Sequence, residues 1–164
     1  MRICLVRHAI AEERGSAWPD DSLRPLTADG RKKMRAAAAG IARLVQPTII
    51  LTSPLTRAVQ TAEILGDTWD LHRFHVSDAL AEGDDENLLA DILSLRADAL
   101  AAVGHEPFIS ATLSFLLTGD RRSVSAPFGK GAAACVEFEG EPRAGEGTLL
   151  WFMQPSALRL LGRR

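Results

Sequence analysis

No uncharged stretch of this chain is long enough to cross a bilayer. The longest, such as Pro107 to Gly119, fall well below the roughly 18 residues a membrane helix needs, so no membrane association is expected. The apolar run at the N-terminus ends at Val6, too soon for a secretory leader. Cysteine is scarce: Cys4 and Cys135 do not make a disulfide framework. Both lie in apolar, strand-like surroundings, which points to buried thiols and a cytoplasmic location. Neither suits a Cys-x5-Arg phosphatase loop, because Ile10 and Glu141 stand where the arginine belongs. A G-x-x-x-x-G-K-[ST] loop is also missing, which argues against a nucleotide-binding ATPase. The net charge of -2 provides no global positive field for nucleic acid or an anionic membrane.

What is present is an ordinary globular composition. With 164 residues, 46% hydrophobic and 24% charged, the chain can bury one core, and one domain over residues 1–164 is expected. Lysine occurs only at Lys32, Lys33 and Lys130, so arginine dominates the 19 basic residues. Composition bias explains such a total as well as phosphate recognition does, and only particular arginines carry an argument. Nothing resembles a dimerisation stripe, and a monomer is expected.

Apolar periodicity predicts alternating strands and helices. Arg2 to Val6 reads as a buried strand. Thr27 offers a cap for a helix from Ala28 to Val45, with Met34, Ala38, Ile41 and Val45 on one face. Thr48 to Thr52 is a second strand. Ser53 can cap a following helix with Pro54 in its first turn, ending near Leu65 or Gly66. Phe74 to Ser77 is a weaker strand, and residues 79 to 86 read as an acidic loop. A helix from Glu86 to Leu95 would turn Leu88, Leu89, Ile92 and Leu93 inward. Ala99 to Val103 is a fourth strand, and a helix follows to Leu117 with Gly119 beyond its end. Ala134 to Phe138 and Thr148 to Met153 suggest a hairpin. The alternation predicts an α/β fold: a mainly parallel sheet between two helical layers, an α/β/α sandwich.

In such sheets ligands bind beyond the carboxyl ends of the strands. The strand ends read Arg7-His8, Ser53-Pro54 with Arg57 one turn later, the loop holding Glu82, and Gly104-His105. Two histidines, two arginines and a glutamate converging on one sheet edge suit an oxyanion, phosphate above all, since each guanidinium can bind two phosphoryl oxygens. His72 and His75 are poorly spaced for a shared metal, and neither metal nor cofactor is expected.

Three motifs in order carry a resemblance: Arg7-His8-Ala9, then Ser53-Pro54-Leu55-Thr56-Arg57-Ala58-Val59-Gln60-Thr61-Ala62, then Gly104-His105-Glu106-Pro107. Together they resemble the histidine phosphatase (phosphoglycerate mutase-like) superfamily over residues 2 to about 155. The segment Asp21-Ser22-Leu23-Arg24-Pro25-Leu26-Thr27-Ala28-Asp29-Gly30 is similar to that of the small bacterial SixA-type phosphohistidine phosphatases. The resemblance implies His8 as the nucleophile that becomes phosphorylated, with a carbonyl or carboxylate holding its other ring proton. Arg7 and Arg57 would clamp the phosphoryl oxygens. His105 would donate to another oxygen, best when protonated. Glu82 matches the general acid of larger relatives, with Asp84, Asp85 and Glu86 as rivals. Asp21 and Arg24 would either pair structurally or line the substrate side, where Ser53 also falls.

Two departures qualify the resemblance. The family glycine after the histidine is Ala9, which the loop is expected to accommodate. Ile10-Ala-Glu-Glu-Arg14 lacks the serine and asparagine of the mutases, against mutase activity. The implied substrate is a histidine-phosphorylated protein. Small phosphomonoesters or sugar phosphates are the alternative enzyme reading, and a non-catalytic phosphate-binding module is the alternative of another class.

Overall fold

The computed structural model describes residues 1–163. Six strands form one sheet in the order β3-β2-β4-β1-β5-β6. They are β1 (Arg2–Arg7), β2 (Ile49–Thr52), β3 (Phe74–Val76), β4 (Ala99–Gly104), β5 (Ala133–Glu137) and β6 (Thr148–Met153). The pairs β1–β4, β2–β4 and β2–β3 are parallel; β5 and β6 add an antiparallel margin. β1 and β4 are apolar almost throughout because helices cover both faces, as parallel strands require. The α/β sandwich expected from sequence is therefore present.

Alternate residues of each strand feed opposite cores. Cys4, Val6, Ala101 and Val103 face one layer, made of α1 (Ala28–Ile41), α2 (Thr56–Trp69) and α6 (Pro155–Leu161). Ile3, Leu5, Leu100 and Ala102 face the other, made of α3 (Ala79–Glu82), α4 (Asp85–Ser94) and α5 (Phe108–Thr118). Both cysteines are buried and free, directly opposite each other across β1 and β5. Burial raises both thiols, that of Cys135 to about 11, so neither offers a thiolate near neutrality.

Several boundaries differ from the periodicity. Thr27 caps α1 through its side chain, which accepts from the Gly30 N–H, but the helix ends at Ile41 and irregular turns carry the chain to Val45. Ser53 caps no helix: α2 starts at Thr56 and continues to Trp69. Residues 79 to 82, expected as loop, form the short helix α3. Leu93, expected in the core, is 39% exposed, since the single apolar stripe of α4 runs through Leu88 and Ile92. Helix α6, not among the expected elements, opens on Pro155 in its first turn and ends at Leu161, with Gly162 as its C-cap.

Gly30 explains why the Leu26-Thr27-Ala28-Asp29-Gly30 segment sits where it does. A Cβ there would stand 2.1 Å from the Ile10 carbonyl oxygen. Only glycine lets α1 press against the chain just beyond His8.

Candidate active site

The strand order places β4 between β2 and β1, so the chain segments leaving these three strands lie side by side. Backbone bonds extend the ladder one step further: His8 N–H donates to the Gly104 carbonyl and Ser53 N–H to that of Val103, each at 3.0 Å. His8 and His105 thus stand next to each other, their ring centroids 5.0 Å apart. Arg57 comes up from the first turn of α2. Four of the expected residues, Arg7, His8, Arg57 and His105, are brought together, and Ser53 joins them by a 2.8 Å contact between its hydroxyl and His105 Nε2.

His8 has the tautomer a nucleophile needs. Its Nδ1 lies 2.7 Å from the Ala9 carbonyl, the kind of partner expected, which keeps the proton on Nδ1 and leaves the Nε2 lone pair free. Burial, then His105, Arg57 and Arg7, lower its pKa to about 3, so the ring is neutral at pH 7. Ala9 itself is buried, and among the described residues only Asp70 and Arg96 are non-glycine residues with positive φ. The family glycine is therefore not required here for backbone conformation. The Ala9 N–H donates to Thr61, whose hydroxyl donates to the Arg57 carbonyl, tying the His8 loop to α2.

Each arginine is held by its terminal nitrogens. Arg7 Nη1 donates to the Phe128 carbonyl at 2.6 Å. Glu106 fixes that carbonyl's residue by accepting from Phe128 N–H at 2.7 Å and also accepts from the Ser110 hydroxyl. Arg57 Nη1 donates to the Asp21 carbonyl at 2.8 Å, and its Nη2 lies 3.1 Å from Asp21 Oδ2. The Nε atoms of Arg7 and Arg57 and Nδ1 of His105 are buried without any hydrogen-bond partner among the described residues. Two of the three are guanidinium donors, and buried donors are almost always satisfied, so orphans in one place indicate a site for an acceptor-rich ligand. A phosphoryl group, with three acceptor oxygens, fits them.

His105 departs from expectation in its charge. Burial, then Arg57 and Arg7, lower it to about 4, so in the ligand-free protein its donor is a neutral ring rather than an imidazolium. A proton on Nδ1 then requires Ser53 to donate its hydroxyl proton to Nε2. Ser53 therefore orients a site histidine instead of capping a helix.

Asp21 and Arg24 do pair, through Arg24 Nε and Asp21 Oδ1 at 3.0 Å. Glu82 lies at the end of α3 and lines a surface hollow with Ser77, Asp84, Asn87 and Asp91. Among the described residues, no hydrogen bond or ion pair joins it to the four central ones. Of its rivals, Asp85 is committed to Thr112 and Arg121, and Asp84 caps α4 through Asn87. Thr61 and Glu106 emerge as supporting residues only in the structure, although both stand inside the quoted motifs.

The profile of the histidine phosphatase superfamily (branch 1) matches residues 3–112. The phosphohistidine phosphatase SixA of Escherichia coli K12 is 29% identical, covering 98% of both chains. The solved structure of the protein histidine phosphatase SixA complexed with tungstate superimposes with a TM-score of 0.82 at 28% identity, covering 96% of this chain and 99% of that one. A phosphoserine phosphatase from Entamoeba histolytica shares the fold, with a TM-score of 0.66 at 17% identity, over 94% of this chain and 97% of the other.

Proposed function

Because the chain belongs to the histidine phosphatase superfamily, we propose that it is a phosphohistidine phosphatase acting on a histidine-phosphorylated protein through a covalent intermediate on His8. His8 Nε2 attacks phosphorus and the bond from phosphorus to the substrate imidazole breaks, that imidazole leaving with a proton taken from water. Water then attacks phosphorus, releasing inorganic phosphate and restoring neutral His8. Arg7, Arg57 and His105 hold the phosphoryl oxygens as charge spreads over them in the transition state.

The observation that carries this reading is the set of three unpartnered buried nitrogens, two of them guanidinium donors, around a neutral, correctly oriented imidazole. The substrate class draws its support from the acid. An alkoxide needs a proton to leave, typically a factor of about 10²–10⁴, whereas an imidazole leaves far more readily. Among the described residues, no carboxylate bonded to the four central ones is free to supply that proton. Asp21 is engaged by three arginines, and Glu82 stands apart on α3. The kinship with SixA points the same way.

The test is hydrolysis of a histidine-phosphorylated protein beside a panel of phosphomonoesters, in chelator. Phosphohistidine is expected to exceed every ester by about 10² or more in kcat/KM. An ester preferred over phosphohistidine would move the assignment to a small-metabolite phosphatase. Binding of phosphate with no turnover of either would indicate a non-catalytic module.

The lowered histidines also set a pH profile. Because His8 titrates about 3 and not near 6.5, kcat/KM is expected to stay level from pH 8 to about 5, after correction for substrate ionisation and spontaneous hydrolysis. A half-loss centred near 6.5 would contradict it. Stability carries the matching sign. The unfolded imidazoles gain protons below about 6.5 while the folded ones do not, so the melting temperature falls as pH drops from about 6.5 towards 4.

A further inference from the structure

Arg57 reaches the site from α2, and its other side is gripped by a cluster outside the four central residues. Three guanidinium groups meet at Asp21: Arg14 Nε at 2.9 Å and Arg24 Nε at 3.0 Å, both on Oδ1, and Arg57 Nη2 at 3.1 Å on Oδ2. Asp21 also offers its main-chain carbonyl to Arg57 Nη1 at 2.8 Å. Arg57 is therefore held at two points by one residue, and two points fix the plane of a guanidinium. What remains unbonded is its Nε, buried and without a partner among the described residues.

The supports of Asp21 differ in kind. Arg24 is buried, and its Nη1 donates to the Glu12 carbonyl at 2.6 Å, which anchors it to the chain leaving the nucleophile's loop. Arg14 is largely exposed. A single-turn 3₁₀ helix, Asp21–Leu23, presents the carboxylate, and its own cap is the neighbouring Asp20. Asp21 is thus not needed to cap its own turn. The three arginines bring three positive charges to one carboxylate, so the cluster stays cationic and attractive to an anion. Burial acts to raise the Asp21 carboxyl, but Arg24, Arg57 and Arg14 together hold it below the usual carboxylate range, so it stays ionised.

We propose that Asp21 is a positioning residue for the phosphoryl group: it touches no substrate, and it clamps Arg57 so that the free Nε edge faces the anion beside His8. This rests on reading the site as a phosphoryl site, and it decides between the two roles open to Asp21 from sequence. An arginine whose fork is pre-oriented loses less freedom when it binds an oxyanion. The cost of burying the guanidinium is met by an ion pair that leaves the binding edge open.

The experiment is a double-mutant cycle read by calorimetric binding of inorganic phosphate, with thermal melting as a check on folding. Asp21→Asn keeps the size and the main-chain carbonyl and removes the charge. It is expected to weaken phosphate binding about tenfold in the native background and less than about twofold in an Arg57→Ala background, because the residue acts through Arg57. Asp21→Glu, which keeps the charge, should recover part of the loss, and it replaces Asp21→Asn in the cycle if the asparagine prevents folding. Histidine NMR supplies a readout that packing alone would not move: Asp21 favours the charged form of His105, so Asp21→Asn lowers the His105 pKa further from about 4. Equal weakening in both backgrounds would mean that Asp21 acts independently of Arg57 and would overturn the proposal. So would unchanged phosphate affinity with only a lower melting temperature. Because binding and not turnover is measured, failure of the phosphohistidine assay leaves this test intact.

Discussion

Replacing His8 with alanine is expected to remove turnover, by at least about 10⁴-fold in kcat, while phosphate still binds. The expectation follows from the ring's isolation. Its Nδ1 is engaged by the Ala9 carbonyl, which leaves the Nε2 lone pair free, whereas His105 Nε2 is bound to Ser53. His105 lies beside it but is turned to a different partner, so it offers no ready substitute. Rapid denaturing quench of the native enzyme with labelled substrate should trap an acid-labile, base-stable phosphoryl adduct, and the variant should show none. Substantial activity in His8→Ala, or an adduct that survives the change, would place the nucleophile elsewhere. Arg7, Arg57 and His105 remain in the variant, so phosphate affinity separates loss of chemistry from loss of the site.

Arg57→Ala is expected to lower kcat/KM by about 10²–10³, the range found when one preorganised donor to a developing oxyanion is lost. Arg57→Lys should recover little. Lysine is a point charge whose three N–H donors radiate from one nitrogen, so it lacks the planar fork that meets Asp21 through its terminal nitrogens and offers Nε to the anion. The same change has an electrostatic signature. Arg57 is the leading charge that holds His105 down, so the His105 pKa should rise from about 4 in Arg57→Ala. A loss below about tenfold, with an unmoved His105 titration, would show that Arg57 neither binds the phosphoryl group nor faces His105.

The helices and strands that carry long apolar runs were legible: β1, β2, β4, α1 and α5 lie within a few residues of their expected bounds. Differences fall where a short-range signal has a rival. Ser53-Pro54 looks like the opening of a helix, yet the Ser53 hydroxyl is drawn to His105 and the helix starts at Thr56. The α3 turn is too short for any periodicity to show. Leu93 reads as inward because α4 carries four large apolar residues, more than one stripe can bury.

Within the site, the sequence pointed to Arg7, His8, Arg57 and His105 as one group, because Arg7 closes a strand and the others follow strands that end at the same edge of a parallel sheet, and the structure places them side by side. Chain order and residue type carry that information. What only the tertiary structure decided is how those groups are charged and aimed. Burial and neighbouring arginines make both histidines neutral, and Asp21, far from Arg57 in sequence, sets the plane of its guanidinium. Glu106 sits inside its motif, yet its partner Phe128 is distant, so its part in holding the Arg7 acceptor was invisible. Desolvation and long-range hydrogen bonds depend on what surrounds a group in space, and local pattern does not encode those neighbours.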